Sequence, residues 1–335
     1  MPKLDFFQTQ KGILLIKEIF EKEMKERLSL QKIQAPIFLK TGTGLQDDLA
    51  GTQIPVSFKV KFMAPEIEVV QALTKWKRHV IGKYDFKIGT GIITDMKAIR
   101  KDEEIDETHS LFVDQWDWEL AISKEQRTLE FLKSVVRKIY GAMLEAEKIV
   151  EKEFPKLEPR LPEDIEFVHA EDLEDMYPDL SPKEREDKIA RKHGAVFLIG
   201  IGSPLKSGMP HDLRAADYDD WSTQTIERRR GLNGDIIVWD SISLKSLELT
   251  SMGIRVDAES LIAQLKLTGL LERKELPYHR GIIESKLPLT IGGGFGQSRL
   301  YMFLLHKTHI GEVQPSIWSE KMEKKAMKRG IKLLQ

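Results

Sequence analysis

Residues 291–305 read IGGGFGQSRLYMFLL. Three consecutive glycines, one more after Phe295, and then a single arginine stand at the mouth of an apolar run. Glycines remove side chains where backbone must approach something closely. Leu300, Met302, Phe303, Leu304 and Leu305 can cover a buried helix face, which puts Arg299 in the first turn of that helix. A cation there opposes the helix dipole unless an anion offsets it, so the stretch asks for a bound anion.

Near the N-terminus, Ile13, Ile16, Phe20, Met24 and Leu28 recur at helical spacing, predicting an amphipathic helix over residues 8–28. LQKIQAPIFL (30–39) then reads as a strand interrupted at Pro36, which suggests an edge position or a kink. A second long helix is expected from Leu129 to Val150, followed by Pro155, Pro159 and Pro162. SPKE (181–184) has a capping serine, proline at the first helical position and glutamate three residues after the cap; that helix should stop near Gly194. Strands are expected at 110–119, 195–201, 235–240 and 247–256. Helices interrupt these strands irregularly, which argues for a mostly antiparallel sheet flanked by helices rather than a doubly wound parallel one.

HSLFVDQWDWEL (109–120), read as a strand, puts Phe112, Trp116 and Trp118 on one face and Gln115, Asp117 and Glu119 on the other. That is either a rigid platform for polar recognition or a half-exposed strand with a wet face. Asp235 and Glu248 lie on successive expected strands, where hairpin neighbours can bring two carboxylates together for a hard cation such as Mg²⁺. Thr250, Ser251, Gly253 and Arg255 give the second of these strands the composition of a site. GTGLQDDLAGT (42–52) and HDLRAADYDDWST (211–223) are acidic loops, the second carrying Arg214, Asp219 and Asp220. KWKR (75–78) and IRKDE (99–103) are short basic clusters. Taken singly, each reads as a solvated loop; together they offer arginines for phosphate and acids for a cation or an ammonium group. Neither the Walker loop nor a Rossmann GxGxxG after a strand is present, so a nucleotide would bind by another architecture.

Composition narrows the classes. At 335 residues the chain can bury a substantial core, and 41% apolar with 31% charged residues suits a globular protein. A net charge of −1 supplies no global attraction to nucleic acid or acidic membranes. No apolar run reaches membrane-spanning length and no signal peptide is visible, so a cytoplasmic location is expected. With zero cysteines there is no disulfide, thiolate metal site or cysteine nucleophile. His306 and His309, at i and i+3, leave a metal pair possible on one helical face, with plain surface chemistry as the alternative.

Taken in order, these segments resemble the catalytic core of the class II aminoacyl-tRNA synthetases. GGGFGQSR is similar to the third motif of that class, AIRKDEEIDETHSLFVDQWDWEL to the second, and the first helix with the strand ending at Pro36 to the first. GDIIVWDSISLKSLELTSMGIRVD resembles the aspartyl/asparaginyl branch. The ordered set LQDDLAG, KWKR, VDQWDWE, RAADYDDWST, GLNGDI, TSMGIRVD and IGGGFGQSR resembles the ammonia-dependent asparagine synthetase family over residues 6–318. Ala72 and Thr250 depart from the pattern, each standing where serine is expected, near the aspartate pocket the resemblance implies.

The resemblance implies a single α+β catalytic domain without an anticodon-binding domain, a homodimer built on the first motif, and no nucleic-acid or membrane partner. It also implies a two-step reaction of aspartate, Mg·ATP and ammonia through β-aspartyl-adenylate. In that scheme Arg100 meets the α-phosphate, Arg299 the outer phosphates, with Gly294 beside the nucleotide, and Asp235 and Glu248 hold Mg²⁺. Asp47, Lys77, Gln115 and Asp117 fall at positions suited to aspartate's ammonium and carboxylates, with Arg214, Asp219, Ser251 and Arg255 as further candidates. Asp47 or Asp219 would take the proton from ammonium. Two rivals remain open: an aspartyl- or asparaginyl-tRNA synthetase, and a non-catalytic sensor of aspartate or adenylate. The first helix begins within about ten residues of the first methionine, where such synthetases carry an anticodon-binding barrel.

Overall fold

The computed structural model describes residues 4–49, 53–64, 66–226 and 229–334, so the last three residues of the 42–52 loop lie outside it. Helix α1 (Phe6–Leu28) starts at Asp5, whose carboxylate accepts the Gln8 N–H while the Gln8 side chain returns to the Asp5 amide. Its buried stripe of Ile16, Phe20, Met24 and Leu28 lies against the core. Strand β1 (Leu30–Ile33) follows, and beyond Pro36 comes β2 (Phe38–Lys40). The proline separates two sheets: β1 is an edge strand of the large one, whereas β2 joins β3 (Ser57–Phe58) and β4 (Ile67–Val69) in a small three-stranded sheet that the sequence reading lacked.

Next come α2 (Thr74–Lys83), β5 (Gly91–Ile99), β6 (Phe112–Ala121) and α3 (Leu129–Glu153). Strand β7 (Glu166–His169) connects through α4 (Ala170–Met176) and α5 (Pro182–His193) to β8 (Ala195–Ile199). Ser181 and Glu184 form the expected capping box, and α5 stops at Gly194, where φ is +80°. The chain continues with β9 (Asn233–Asp240), β10 (Lys245–Ile254), α6 (Ala258–Leu267), α7 (Pro277–Ile283), β11 (Thr290–Gly296), α8 (Gln297–Leu304) and α9 (Glu320–Lys328).

The large sheet runs β1-β5-β6-β11-β10-β9-β8-β7, with only the outermost pairs, β1–β5 and β7–β8, parallel. One face carries Trp116, Trp118, Phe295, Met252 and Ile236 into the main core with α1, α3 and α8. The Phe20 ring stacks 4.7 Å from Trp116 and 4.6 Å from Phe295, fastening α1 to the middle of the sheet. The opposite face is covered by α2 near β6 and β11, and by α4 and α5 over β8 and β9. Between these covers it is open.

Four expectations are corrected. The 211–223 loop is not solvated: Asp217, Asp219 and Asp220 are buried, paired with Lys75, Arg255 and Arg127. KWKR is not a solvated loop: it lies in α2, and Lys75, Lys77 and Arg78 are buried because each finds an acceptor, in Asp217, the Gly293 carbonyl, and the Pro288 and Val256 carbonyls. The polar face of β6 is not wet, since Asp117 and Glu119 are buried. His306 and His309 share no helical face: α8 ends at Leu304, His306 has φ +55°, and His309 caps a short 3₁₀ turn by accepting the Gly311 N–H.

Candidate active site

Strand register gathers the predicted residues. Asp117 pairs with Gly294 and Gly294 with Ser251, which in turn pairs with Asp235, so these four share the open face. Plain alternation would send Glu248 to the other face. A bulge between Glu248 and Thr250 adds one residue, so Glu248 faces Ile237 and returns to the side of Asp235 and Ser251. The glycine run is now explained. A Cβ on Gly294 would stand 2.5 Å from Gln115 Oε1 and 2.6 Å from Asp117 Oδ1, and one on Gly292 would overlap Glu119 and Arg255. Strand β11 is bare so that polar side chains can lie across it.

The floor of the resulting cleft, about 380 Å³, is a buried ionic network. Arg255 donates from Nε (3.0 Å to Oε1) and Nη2 (2.8 Å to Oε2) to Glu119, and from Nη1 to Asp219. Thr290 Oγ1 gives Glu119 a further hydrogen bond of 2.6 Å. Burial works to raise the Glu119 carboxyl, but Arg255 and Lys77 hold it below the ordinary range. Lys77 donates to the Gly293 carbonyl at 2.8 Å and lies 3.4 Å from Asp117 Oδ1; burial lowers its pKa against the pull of Asp117 and Glu119.

Asp47 stands behind this floor, wholly buried. Its Oδ2 accepts the Thr74 N–H at 2.9 Å, supplying the cap that the first residue before α2 lacks, and its Oδ1 has no hydrogen-bond partner. Burial pushes this carboxyl up to about 7, with Lys75 opposing and Asp217 and Asp48 reinforcing.

The wall of the cleft is cationic. Arg100 follows β5, its Nε donating to the Gln71 carbonyl at 3.2 Å and its Nη1 lying 3.6 Å from Glu103. Arg299 donates from Nη1 to the Glu248 carbonyl (2.9 Å) and from Nη2 to His109 Nε2 (2.7 Å). Arginine cannot accept, so His109 carries its proton on Nδ1, 2.9 Å from Asp106. Arg214 Nη2 contacts both Asp235 oxygens, at 2.6 and 2.5 Å. Burial works to raise the Glu248 carboxyl, but Arg299 and Arg214 hold it below the ordinary range. Asp235 and Glu248 offer the hard oxygen donors that Mg²⁺ prefers, although Arg214 covers the first of them. Among the described residues no group of three His, Asp or Glu is placed to hold a metal.

The start of α8 differs from the sequence expectation. Gly296 gives no side-chain cap; instead Asp114 of β6 accepts the Ser298 N–H (3.1 Å) and Ser298 Oγ (2.7 Å), and Gln314 Nε2 at 3.3 Å. A protein carboxylate therefore answers the helix dipole, which leaves the guanidinium of Arg299 as the group for an outside anion.

Of the residues singled out from sequence, Arg100, Arg214, Glu248 and Arg299 line the cleft wall, and Gln115, Asp117, Asp219, Ser251, Gly294 and Arg255 line its interior. Asp47, Lys77 and Asp235 stand just behind this lining. Ala72 lines the cleft, and Thr250 keeps its hydroxyl bonded to the Gly294 carbonyl at 2.8 Å. His109 and Asp114 were missed, and Glu119, placed on the polar face of the strand, had been given no role. An acid on the aromatic face of β6 was the signal for Asp114.

A mostly antiparallel sheet with a glycine-bare strand, a bulged acidic strand and an arginine opening the following helix defines the class II aminoacyl-tRNA synthetase catalytic fold. Asparaginyl-tRNA synthetase from Entamoeba histolytica in complex with asparaginyl-adenylate superimposes with a TM-score of 0.64 at 17% identity, over 93% of this chain and 68% of that one. The asparaginyl-tRNA synthetase of Pyrococcus horikoshii, complexed with asparaginyl-adenylate, gives 0.65 at 14% identity, over 91% and 68%. Within that class, the chain belongs to the aspartate–ammonia ligase family, whose profile matches residues 7–330. It is 49% identical over 332 residues to the aspartate–ammonia ligase of Parabacteroides distasonis, covering 99% of this chain and 96% of that protein. It is likewise 49% identical over 335 residues to that of Clostridium perfringens, covering 99% and 97%.

Proposed function

We propose that this chain, as a single catalytic domain, converts aspartate, ATP and ammonia to asparagine, AMP and pyrophosphate. The observation that carries the reading is the division of one cleft into an arginine-rich wall and a floor of paired acids and bases, in a member of the aspartate–ammonia ligase family.

Aspartate is a zwitterion with a second carboxylate. The floor offers Arg255 to its carboxylate and Asp117 to its ammonium, while Lys77, behind the lining, holds Asp117 and the Gly293 carbonyl in place, so that these groups cost little to orient. The free β-carboxylate attacks the α-phosphorus of ATP, forming the acyl-phosphate bond as pyrophosphate leaves. Charge developing on the α-phosphate is met by Arg100 and that on the departing phosphates by Arg299, with His109 against its Nη2. Gly294 leaves room beside the nucleotide. Mg²⁺, held by Asp235 and Glu248, would neutralise phosphate charge.

Ammonia then attacks the acyl carbon and AMP leaves. Ammonium must first lose a proton. Asp219 lines the cleft whereas Asp47 does not, so Asp219 is the carboxylate that meets the nitrogen. Asp47 acts from behind, fixing the start of α2 and thereby Lys77.

The chain would act as a homodimer through α1 and β1: β1 is a sheet edge, and α1 exposes Leu14 and Phe7, the latter by 81%. Sedimentation showing only monomer at micromolar concentration would contradict this.

Purified protein with Mg·ATP, aspartate and either ammonium or glutamine, without tRNA, tests the reaction. Asparagine with AMP and pyrophosphate, from ammonium, is expected. Aspartate-dependent ATP–pyrophosphate exchange without asparagine would redirect the adenylate to another acceptor, and binding without turnover would make the chain a sensor.

A further inference from the structure

Arg214 connects the 211–223 loop to strand β9. Its Nη2 spans both oxygens of Asp235, and its Nη1 reaches Asp212 Oδ2 at 3.3 Å and the Leu213 carbonyl at 3.1 Å. Its Nε is buried with no hydrogen-bond partner. Across the β9–β10 ladder, Glu248 has Arg299 Nη1 at 3.9 Å from its Oε1. Both carboxylates read as the magnesium pair are thus already matched by guanidinium groups.

A divalent cation and a guanidinium compete for the same carboxylate lone pairs. With both oxygens of Asp235 engaged at 2.5–2.6 Å, a metal ion approaching alone has to displace a buried, charge-assisted hydrogen-bonded pair. A metal ion arriving on a triphosphate brings a second anion, and Arg214 can transfer to it without leaving any charge unpaired. The unpartnered Nε–H adds a donor for a phosphate oxygen. Within that loop Asp212 and Leu213, next to Arg214, are exposed, whereas His211 before them is buried against Glu186.

We infer that Arg214 is a placeholder cation: it keeps Asp235 closed in the free protein and moves to the phosphates when the metal–nucleotide complex enters. The inference rests on the proposed reading of Asp235 and Glu248 as metal ligands. It makes the metal and ATP enter together rather than in sequence, and gives arginine a role that lysine, with one compact charge, cannot fully reproduce.

Mn²⁺ binding, followed by the electron paramagnetic resonance of the free ion, tests this on the whole protein with and without α,β-methylene-ATP. Wild type is expected to bind Mn²⁺ tightly only with the nucleotide. If Arg214 leaves Asp235 open in about a tenth of molecules, Arg214→Gln should bind Mn²⁺ alone about tenfold more tightly than wild type. Adding Asp235→Asn should remove that gain, and Arg214→Lys should fall between wild type and Arg214→Gln. Equal nucleotide-free affinity in wild type and in either folded Arg214 variant would overturn the inference. If Asp235→Asn leaves nucleotide-dependent Mn²⁺ binding intact, the metal assignment itself falls, and the inference with it.

Discussion

Exchanging Gly294 for alanine adds one methyl group to the floor of the cleft. Its Cβ would lie 2.5 Å from Gln115 Oε1 and 2.6 Å from Asp117 Oδ1, where ordinary contact begins at 3.4 Å, so each oxygen must yield by 0.8–0.9 Å. Asp117 cannot do so freely, because it is tied to Lys77 and to the Leu73 N–H at 3.3 Å. Overpacking of this kind costs about 1–3 kcal/mol, which a 335-residue chain can absorb while remaining folded. Function should suffer more, since a misplacement near 1 Å of substrate-orienting groups costs about 10²-fold in rate. Gly296, two residues on, is the matched control: its added Cβ meets Arg299 Cβ at 3.4 Å and Arg299 Cδ and the Leu249 carbonyl at 3.5 Å, all ordinary contacts, and its φ of −63° suits alanine. The assay is aspartate-dependent ATP–pyrophosphate exchange with urea denaturation alongside. Gly294→Ala should lose about 10²-fold in kcat/KM for aspartate, and Gly296→Ala should stay close to wild type. A Gly294→Ala protein with wild-type aspartate kinetics would refute the explanation of the glycine run.

Asp114→Ala should strand the Ser298 N–H and hydroxyl proton, while Gln314 Nε2 keeps Ser298 Oγ as acceptor at 3.0 Å; the loss should be about 1–3 kcal/mol and raise KM for ATP more than KM for aspartate, which parallel urea titrations and steady-state kinetics check. Glu119→Gln removes the main counter-charge of buried Arg255, and urea midpoints should show a loss of about 3–5 kcal/mol; a change within error would remove Glu119 from the supporting network. Asp47 titrates near 7 in the folded chain but near 3.8 when unfolded, so between those values the folded state holds the extra proton. Stability should therefore fall as pH rises from about 4 to about 7, and Asp47→Asn should flatten that fall in denaturation curves taken across the range.

Much of this fold is written in local patterns. The capping box at Ser181, the stripe of α1 and the aromatic alternation of β6 each fix an element from neighbouring residues. What escapes is whatever depends on distant partners. Nothing near KWKR indicates that its cations are buried, because their acceptors lie at Asp217, Val256, Pro288 and Gly293. The bulge that turns Glu248 toward Asp235 is one unpaired residue in a ladder, with no compositional mark. The candidate site was legible as a set of charged residues and motifs in order. Which charges pair, Arg214 with Asp235 or Arg255 with Glu119, belongs to the tertiary structure alone.

Helices α2 and α8 both begin without a capping side chain of their own and borrow a carboxylate, α2 from Asp47 and α8 from Asp114. The second loan spans 184 positions of chain. An uncapped helix start frays, so Arg299 has no firm platform until β6 has docked beside β11. During synthesis and refolding, nucleotide affinity should be among the last properties gained, and a half-assembled chain would not sequester ATP. Ligand binding thus serves as a report of completed assembly.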